Sequence, residues 1–171
     1  MIFKSMDALE DEGFEGFKTI EELFISCSIV PKVKGVYLVL RDGSKEPKFV
    51  QKGVGGYFKN KDPNVPVSTL ESKWVNDTVV LYIGKAGCSS RLKSTAQTLN
   101  KRIRTYMRFG KGKAAAHYGG RYIWQLKDYK NLIVCWKTLP EAQSDPLALE
   151  TKLLNVFYNA YGKLPFANLK I

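Results

Sequence analysis

Gly35-Val-Tyr-Leu-Val-Leu40 and Val79-Val-Leu-Tyr-Ile83 are the two stretches that decide the fold. The first is β-branched and apolar and runs into Arg41-Asp-Gly-Ser44, the composition of a strand leaving into a turn. The second is a strand of the same kind, broken at Gly84. Gly35-Val36-Tyr37 and Tyr82-Ile83-Gly84 each set a tyrosine beside a glycine at a strand end. A lone tyrosine on a strand is more often a cross-strand packing residue than a catalytic one.

Working outward from the second strand, Ser94 or Thr95 is expected to cap a helix whose Leu99, Ile103 and Tyr106 share a face, with Gly110 as its stop. Gly110-Lys-Gly-Lys113 and Gly119-Gly120 bracket a loop, and Tyr122–Leu126 and Leu132–Trp136 read as two further strands. The last helix has Asp145 as N-cap, Pro146 in its first turn, Gly162 as its end and Pro165 just beyond. Residues 45–76, with Gly53-Val-Gly-Gly56 and Asp62-Pro-Asn-Val-Pro66, read as an excursion holding at most one short strand. At the other end, Met6–Phe24 reads as helical with a break at Gly13–Gly16. Residues 1–31 are then an acidic helical segment packed on a single domain over 32–171. The order β–β–α–β–β–α predicts an α+β (mixed α/β) chain: a small, mostly antiparallel sheet flanked by helices.

The composition, 44% apolar and 25% charged over 171 residues, is that of one globular domain and excludes collagen-like or wholly disordered readings. Three separated cysteines with no Cys-x-x-Cys pair argue against a disulfide framework or a thiolate zinc site, and a cytoplasmic setting is expected. The N-terminus lacks a basic stretch followed by an apolar block, so no secretory signal is expected. The charge is less ordinary. The formal +11 is spread unevenly: residues 1–31 carry two lysines against seven acids, whereas Thr78–Lys127 holds eleven basic residues and no carboxylate. Surface lysines are normally interspersed with acids, so an acid-free run predicts a positive patch that attracts a polyanion, nucleic acid first. Arg91, Lys93, Lys101, Arg104, Arg108, Lys111, Lys113 and Arg121 are its candidate DNA contacts.

Two helical positions stand out. Glu150 falls between Leu153 and Leu154 on the stripe built from Leu149, Leu153, Val156, Phe157 and Ala160, and it is that helix's only acid. A carboxylate turned to a core costs several kcal/mol unless it is paired or metal-bound; a partly exposed first-turn glutamate favoured by the helix dipole is the plainer alternative. Arg102 and Tyr106 are four apart and share a face, with Arg104 and Arg108 on a wetter one. An inward-leaning arginine suits a fixed phosphate oxygen, and the neighbouring sequence offers it no acid.

These residues together resemble the GIY-YIG nuclease family. Gly35-Val-Tyr37 resembles its first motif and Tyr82-Ile-Gly-Lys-Ala86 its second. Leu99-x-x-Arg102-Ile103-x-x-Tyr106 is similar to the helix that supplies the catalytic arginine, Leu149-Glu150 to the metal-binding glutamate, and Pro165-x-x-Asn168 to the closing asparagine motif. The resemblance spans Gly35 to Asn168 with the order preserved. It departs in residues 41–78, where a short hairpin is usual, and in an expanded 109–121. Some restriction enzymes of the family carry a histidine four residues after the arginine; here that place is Tyr106, and His117, the sole histidine, is expected to be a loop residue.

The resemblance implies a metal-dependent DNA endonuclease. Glu150 would hold one divalent cation, Mg²⁺ or Mn²⁺, Arg102 would stabilise the transition state, and Tyr37, with Tyr82 hydrogen-bonded nearby, would serve as general base or orient the water, the sequence leaving open which tyrosine takes the proton. Lys85, Tyr106 and Asn168 would support them. A tyrosine acting as base near pH 7 either has its pKa lowered by about three units, about 4 kcal/mol, or acts only fractionally ionised, with Lys85, Arg102 and the cation as sources of positive potential. The competing class is a basic nucleic-acid-binding module that keeps the fold without turning over. Membrane-surface binding is poorly supported because the basic helix has little continuous apolar area. The glycine-bearing stretches lack P-loop spacing.

Overall fold

A computed structural model describes residues 2–42, 46–87, 97–139 and 144–170. Its elements run α1 (Met6–Asp11), β1 (Glu15–Thr19), α2 (Ile20–Ile25), β2 (Gly35–Leu40), α3 (Val67–Lys73), β3 (Val80–Ala86), α4 (Leu99–Gly110), β4 (Ile133–Thr138) and α5 (Pro146–Tyr161), with 3₁₀ turns at Arg121–Gln125 and Tyr129–Asn131 before β4. The four strands form one antiparallel sheet in the order β1-β4-β2-β3, between helices on both faces: the α+β architecture expected.

All six residues of β2 are buried. Val36, Leu38 and Leu40 belong to the core with Leu153, Leu154 and Phe157 of α5; Tyr37 and Val39 belong to the core with Leu99, Ile103 and Tyr106 of α4. Each aliphatic side chain so buried contributes roughly 1.5–3 kcal/mol, and a slip of one residue would exchange the two faces, so the register is strongly fixed. That register sets Tyr37 opposite Gly84 and Val39 opposite Tyr82.

The N-terminal segment differs from expectation. Met6–Asp11 and Ile20–Ile25 are helical as expected, but from the break onward Glu15–Thr19 is β1, which pairs with β4 and so belongs to the sheet. Gly16, at φ +98°, bulges the strand, and a Cβ there would lie 2.3 Å from the Trp136 ring. Local charge suggested helix; the strand owes its state to a partner more than a hundred residues away, which local patterning does not report. Tyr122–Leu126 is likewise not a strand. Tyr122, Ile123, Trp124 and Gln125 are all buried in a 3₁₀ turn, a continuous apolar run that pattern alone does not separate from a buried strand.

Gln125 also ties down the 41–78 excursion: its Nε2 donates to Val50, Gln51 and Val65 carbonyls, and its Oε1 accepts from the Val65 amide at 2.9 Å. The excursion holds α3, which follows Pro66 without a side-chain cap and therefore carries no start signal beyond that proline. The cap of α4 is Thr98, whose Oγ1 accepts from the Lys101 amide at 3.3 Å. Ser94, Thr95 and the Gly43-Ser44 turn lie outside the described residues. Asn100 Nδ2 donates to the Cys27 and Val30 carbonyls at 2.7 and 3.1 Å, fixing the first turn of α4 and so the origin of Arg102.

On α5, Asp145 caps the start and Gly162 ends the helix in the left-handed region, as the sequence predicts. The buried stripe is Leu153, Leu154 and Phe157; Val156 is 42% exposed and Ala160 is exposed, so the stripe is turned toward Leu154 and Tyr161. At 100° per residue this rotation puts Glu150 mid-stripe. Among the described residues no helix is long and apolar enough to cross a membrane.

Candidate active site

Tyr82, Lys85, Gly87, Gln97, Arg102 and Glu150 line a cleft of about 300 Å³ at the open end of β3. Three elements meet there: β3 supplies Tyr82 and Lys85, α4 supplies Arg102 and α5 supplies Glu150. Tyr82, Lys85, Arg102 and Glu150 are residues the sequence expects at one site, whereas Gly87 and Gln97 are not, and Tyr37, Tyr106 and Asn168 lie outside this lining. Tyr37 is set one layer behind, with no exposed surface, while Tyr82 keeps 6%.

Glycine allows the two tyrosines to approach. They are diagonal neighbours on one sheet face, with ring centroids 5.9 Å apart. A Cβ on Gly84 would stand 2.7 Å from the Tyr37 hydroxyl and 2.8 Å from the Tyr82 ring. The Arg102 guanidinium faces both hydroxyls and donates to the Ala116 carbonyl at 3.1 Å.

A residue that the sequence left in a loop completes the group. His117 is fully buried, its Nε2 lies 2.6 Å from the Tyr37 hydroxyl, and its ring stacks on Tyr106 at 3.8 Å and 17°. Tyr106 in turn donates to the Gly120 carbonyl at 2.7 Å, pinning the segment that carries His117. The only sequence signal for His117 was its setting among Ala114–Ala116 and Gly119-Gly120, small residues that allow a loop to pack closely. Its Nδ1 is buried with no partner among the described residues.

Burial dominates the electrostatics. It pushes the Tyr37 hydroxyl well above the ordinary phenol range, with Tyr82 adding and Arg102 opposing. It also raises Tyr82 against Arg102. The lowered tyrosine pKa expected for a phenolate base is therefore reversed: desolvation outweighs the guanidinium. Burial, helped by Arg102, holds His117 well below its usual value, so the imidazole is neutral at pH 7. The half-buried Glu150 carboxyl is pushed up by burial, with Lys85 and then Arg102 drawing it back.

Among the described residues Glu150 is the sole carboxylate lining the cleft. One hard oxygen donor facing an open, solvent-reaching space fits a Mg²⁺-like cation that keeps most of its waters. Among the described residues no group of three or more His, Cys, Asp or Glu could cage a metal, so a cage of protein ligands does not fit.

Asn168 lies on the outer edge of β3, where its Oδ1 accepts from the Ile83 amide at 2.9 Å and its Nδ2 donates to the Ile83 carbonyl at 2.8 Å. Its amide is thus committed to the backbone and anchors the C-terminal segment. The expected DNA contacts divide. Lys101 and Lys113 are exposed, and Arg104, Arg108 and Lys111 line a different groove. Arg121 stacks on Tyr118 at 4.0 Å and Tyr122 at 4.8 Å. Arg91 and Lys93 lie outside the described residues.

Comparison with protein-family models, curated proteins and solved structures gives no match.

Proposed function

We propose that the chain is a metal-dependent DNA endonuclease of the GIY-YIG type, hydrolysing phosphodiester bonds with one divalent cation, Mg²⁺ or Mn²⁺. The observation that carries this reading is the meeting of Tyr82, Arg102, Lys85 and Glu150 at one cleft, backed by Tyr37 and His117. A cytoplasmic setting accords with it.

In this reading Glu150 would hold the cation, which would supply neutralisation of the charge that develops during phosphodiester hydrolysis. Arg102 binds the scissile phosphate; its fixed, half-buried charge is already aimed at where charge develops, so it stabilises the transition state more than the ground state. Tyr82 is the tyrosine that reaches the cleft and orients the attacking water. Tyr37, behind it, passes the hydroxyl network to His117, whose neutral imidazole is free to take a proton at pH 7 while the Glu150 carboxylate is committed to the cation. The raised tyrosine pKa values support this order, since they favour phenols that relay a proton over phenolates that hold none.

A second reading, a basic module that binds nucleic acid without cutting, draws on the cleft's having a single carboxylate among the described residues. Incubating supercoiled plasmid with the protein and Mg²⁺ or Mn²⁺, beside EDTA controls, separates the two. Metal-dependent nicking supports the enzyme; salt-sensitive binding with no nicking in either metal replaces it with the module.

A further inference from the structure

Helix α4 presents cations on two faces. Arg102 leaves it toward Glu150, while Arg104 and Arg108 are turned about 200° and 240° further around the axis. They line, with Lys32 and Lys111, a separate groove of about 500 Å³ against α2. Among the described residues no carboxylate lines that groove. Among the described residues Lys32, Arg104 and Arg108 make no ion pair. The acids of α2 are engaged elsewhere: Glu21 with Lys130, and Glu22 with Lys18 and Thr19. An isolated group of cations with no acid to answer it is a site for an external anion.

The shape narrows the choice. Arg104 and Arg108 are one turn apart, about 6 Å along the axis, comparable with the spacing of neighbouring phosphates on a strand. Apolar surface adjoins them: Phe24 lies under the Lys111 ammonium at 5.1 Å, and Ile25 is 85% exposed. Cations in a row beside apolar and aromatic surface are what an extended single strand uses, phosphates on one side and bases on the other.

We propose that this groove holds a single-stranded nucleic-acid segment distinct from the one at Glu150, so that one chain grips two segments on opposite faces of α4. The proposal rests on the endonuclease reading only for the choice of nucleic acid as the anion.

Cys27 provides a reporter, because its half-buried thiol lines the same groove. The test measures alkylation of Cys27 by iodoacetamide, followed by peptide mass spectrometry, in EDTA with and without a short oligothymidylate. Occupancy is followed by anisotropy of a labelled copy. Bound oligonucleotide is expected to slow Cys27 alkylation several-fold. The Arg104→Gln/Arg108→Gln variant, checked for an unchanged melting temperature, should lose the protection and about tenfold in affinity for the oligonucleotide at moderate salt; Lys32→Gln gives an independent, smaller loss. Arg102→Ala should keep the protection.

Cys27 alkylation that is unchanged at saturating oligonucleotide overturns the proposal, as does protection that survives in the double variant. A polyglutamate peptide that protects as well as the oligonucleotide assigns the groove to an acidic protein instead. Plasmid nicking is scored separately. Protection without nicking leaves the groove standing and removes the nuclease reading, and nicking without protection does the opposite.

Discussion

The Tyr37 hydroxyl and His117 Nε2 lie 2.6 Å apart across 80 residues of chain. Through this contact the first tyrosine strand and the loop beyond α4 form one buried unit, with Tyr106 stacked against the imidazole.

His117→Phe keeps a flat ring for Tyr106 and removes both ring nitrogens, among them the Nε2 that meets Tyr37. The variant should fold and bind DNA normally while single-turnover nicking falls by roughly 10²–10⁴-fold, the range of a lost acid–base group. Nicking at the parental rate would eliminate the relay and return the base to water alone.

The same histidine makes stability depend on pH. Its folded pKa lies well below 6.5, so on acidification the unfolded chain takes up a proton that the folded chain refuses. Stability from this residue is therefore complete above about pH 6.5 and is lost progressively below it. The groups facing the ring, Tyr37, Tyr82, Tyr106 and Arg102, do not change charge in that range, and Glu150 is common to both proteins compared. Between pH 7 and pH 5 the melting temperature of the parent should drop further than that of His117→Phe. Parallel curves would mean that the imidazole titrates freely.

Arg102→Ala should leave DNA affinity within a few-fold and cut the nicking rate by roughly 10²–10³-fold. One phosphate contact among many adds little to binding, whereas a charge at the reacting phosphorus acts on the barrier. Anisotropy and nicking on the same preparation measure both quantities, and equal losses in the two would make Arg102 a binding residue only.

Glu150→Gln removes a charge that burial disfavours. A carboxyl whose folded pKa is raised costs stability once it ionises, so at pH 7 without metal the variant should melt at the same temperature or higher. Added Mg²⁺ should raise the melting temperature of the parent and not of the variant, and metal-dependent nicking should largely disappear. A variant that melts earlier yet cuts normally per folded molecule would make Glu150 a structural residue.

The sequence disclosed what is local. Gly35–Leu40, the caps of α5, and the spacing of Arg102 and Tyr106 were all legible because each depends on neighbours within a turn or a strand. Glu150 was legible as an anomaly, an acid on an apolar stripe. The strand β1 and the 3₁₀ turn at Arg121–Gln125 were not, since both owe their state to distant partners, Trp136 for the one and the 41–78 excursion for the other. His117 was missed for the same reason: nothing near it in the chain announces a hydrogen bond to Tyr37. The direction of the tyrosine pKa shifts was missed because it depends on depth beneath the surface, which neighbouring charges in a sequence do not reveal.

Asn168 gives the outer strand of the sheet an ending. One side chain occupies both the amide and the carbonyl of Ile83, and the Ala167 amide takes the Leu81 carbonyl at 2.8 Å. Without them β3 would present a row of unanswered backbone groups, the template on which strands of other molecules polymerise. Trimming the chain before Ala167 should therefore first show itself as self-association, seen as growing light scattering and thioflavin fluorescence at concentrations where the untrimmed protein stays monodisperse. The asparagine, on this view, guards colloidal behaviour as much as it anchors the C-terminal segment.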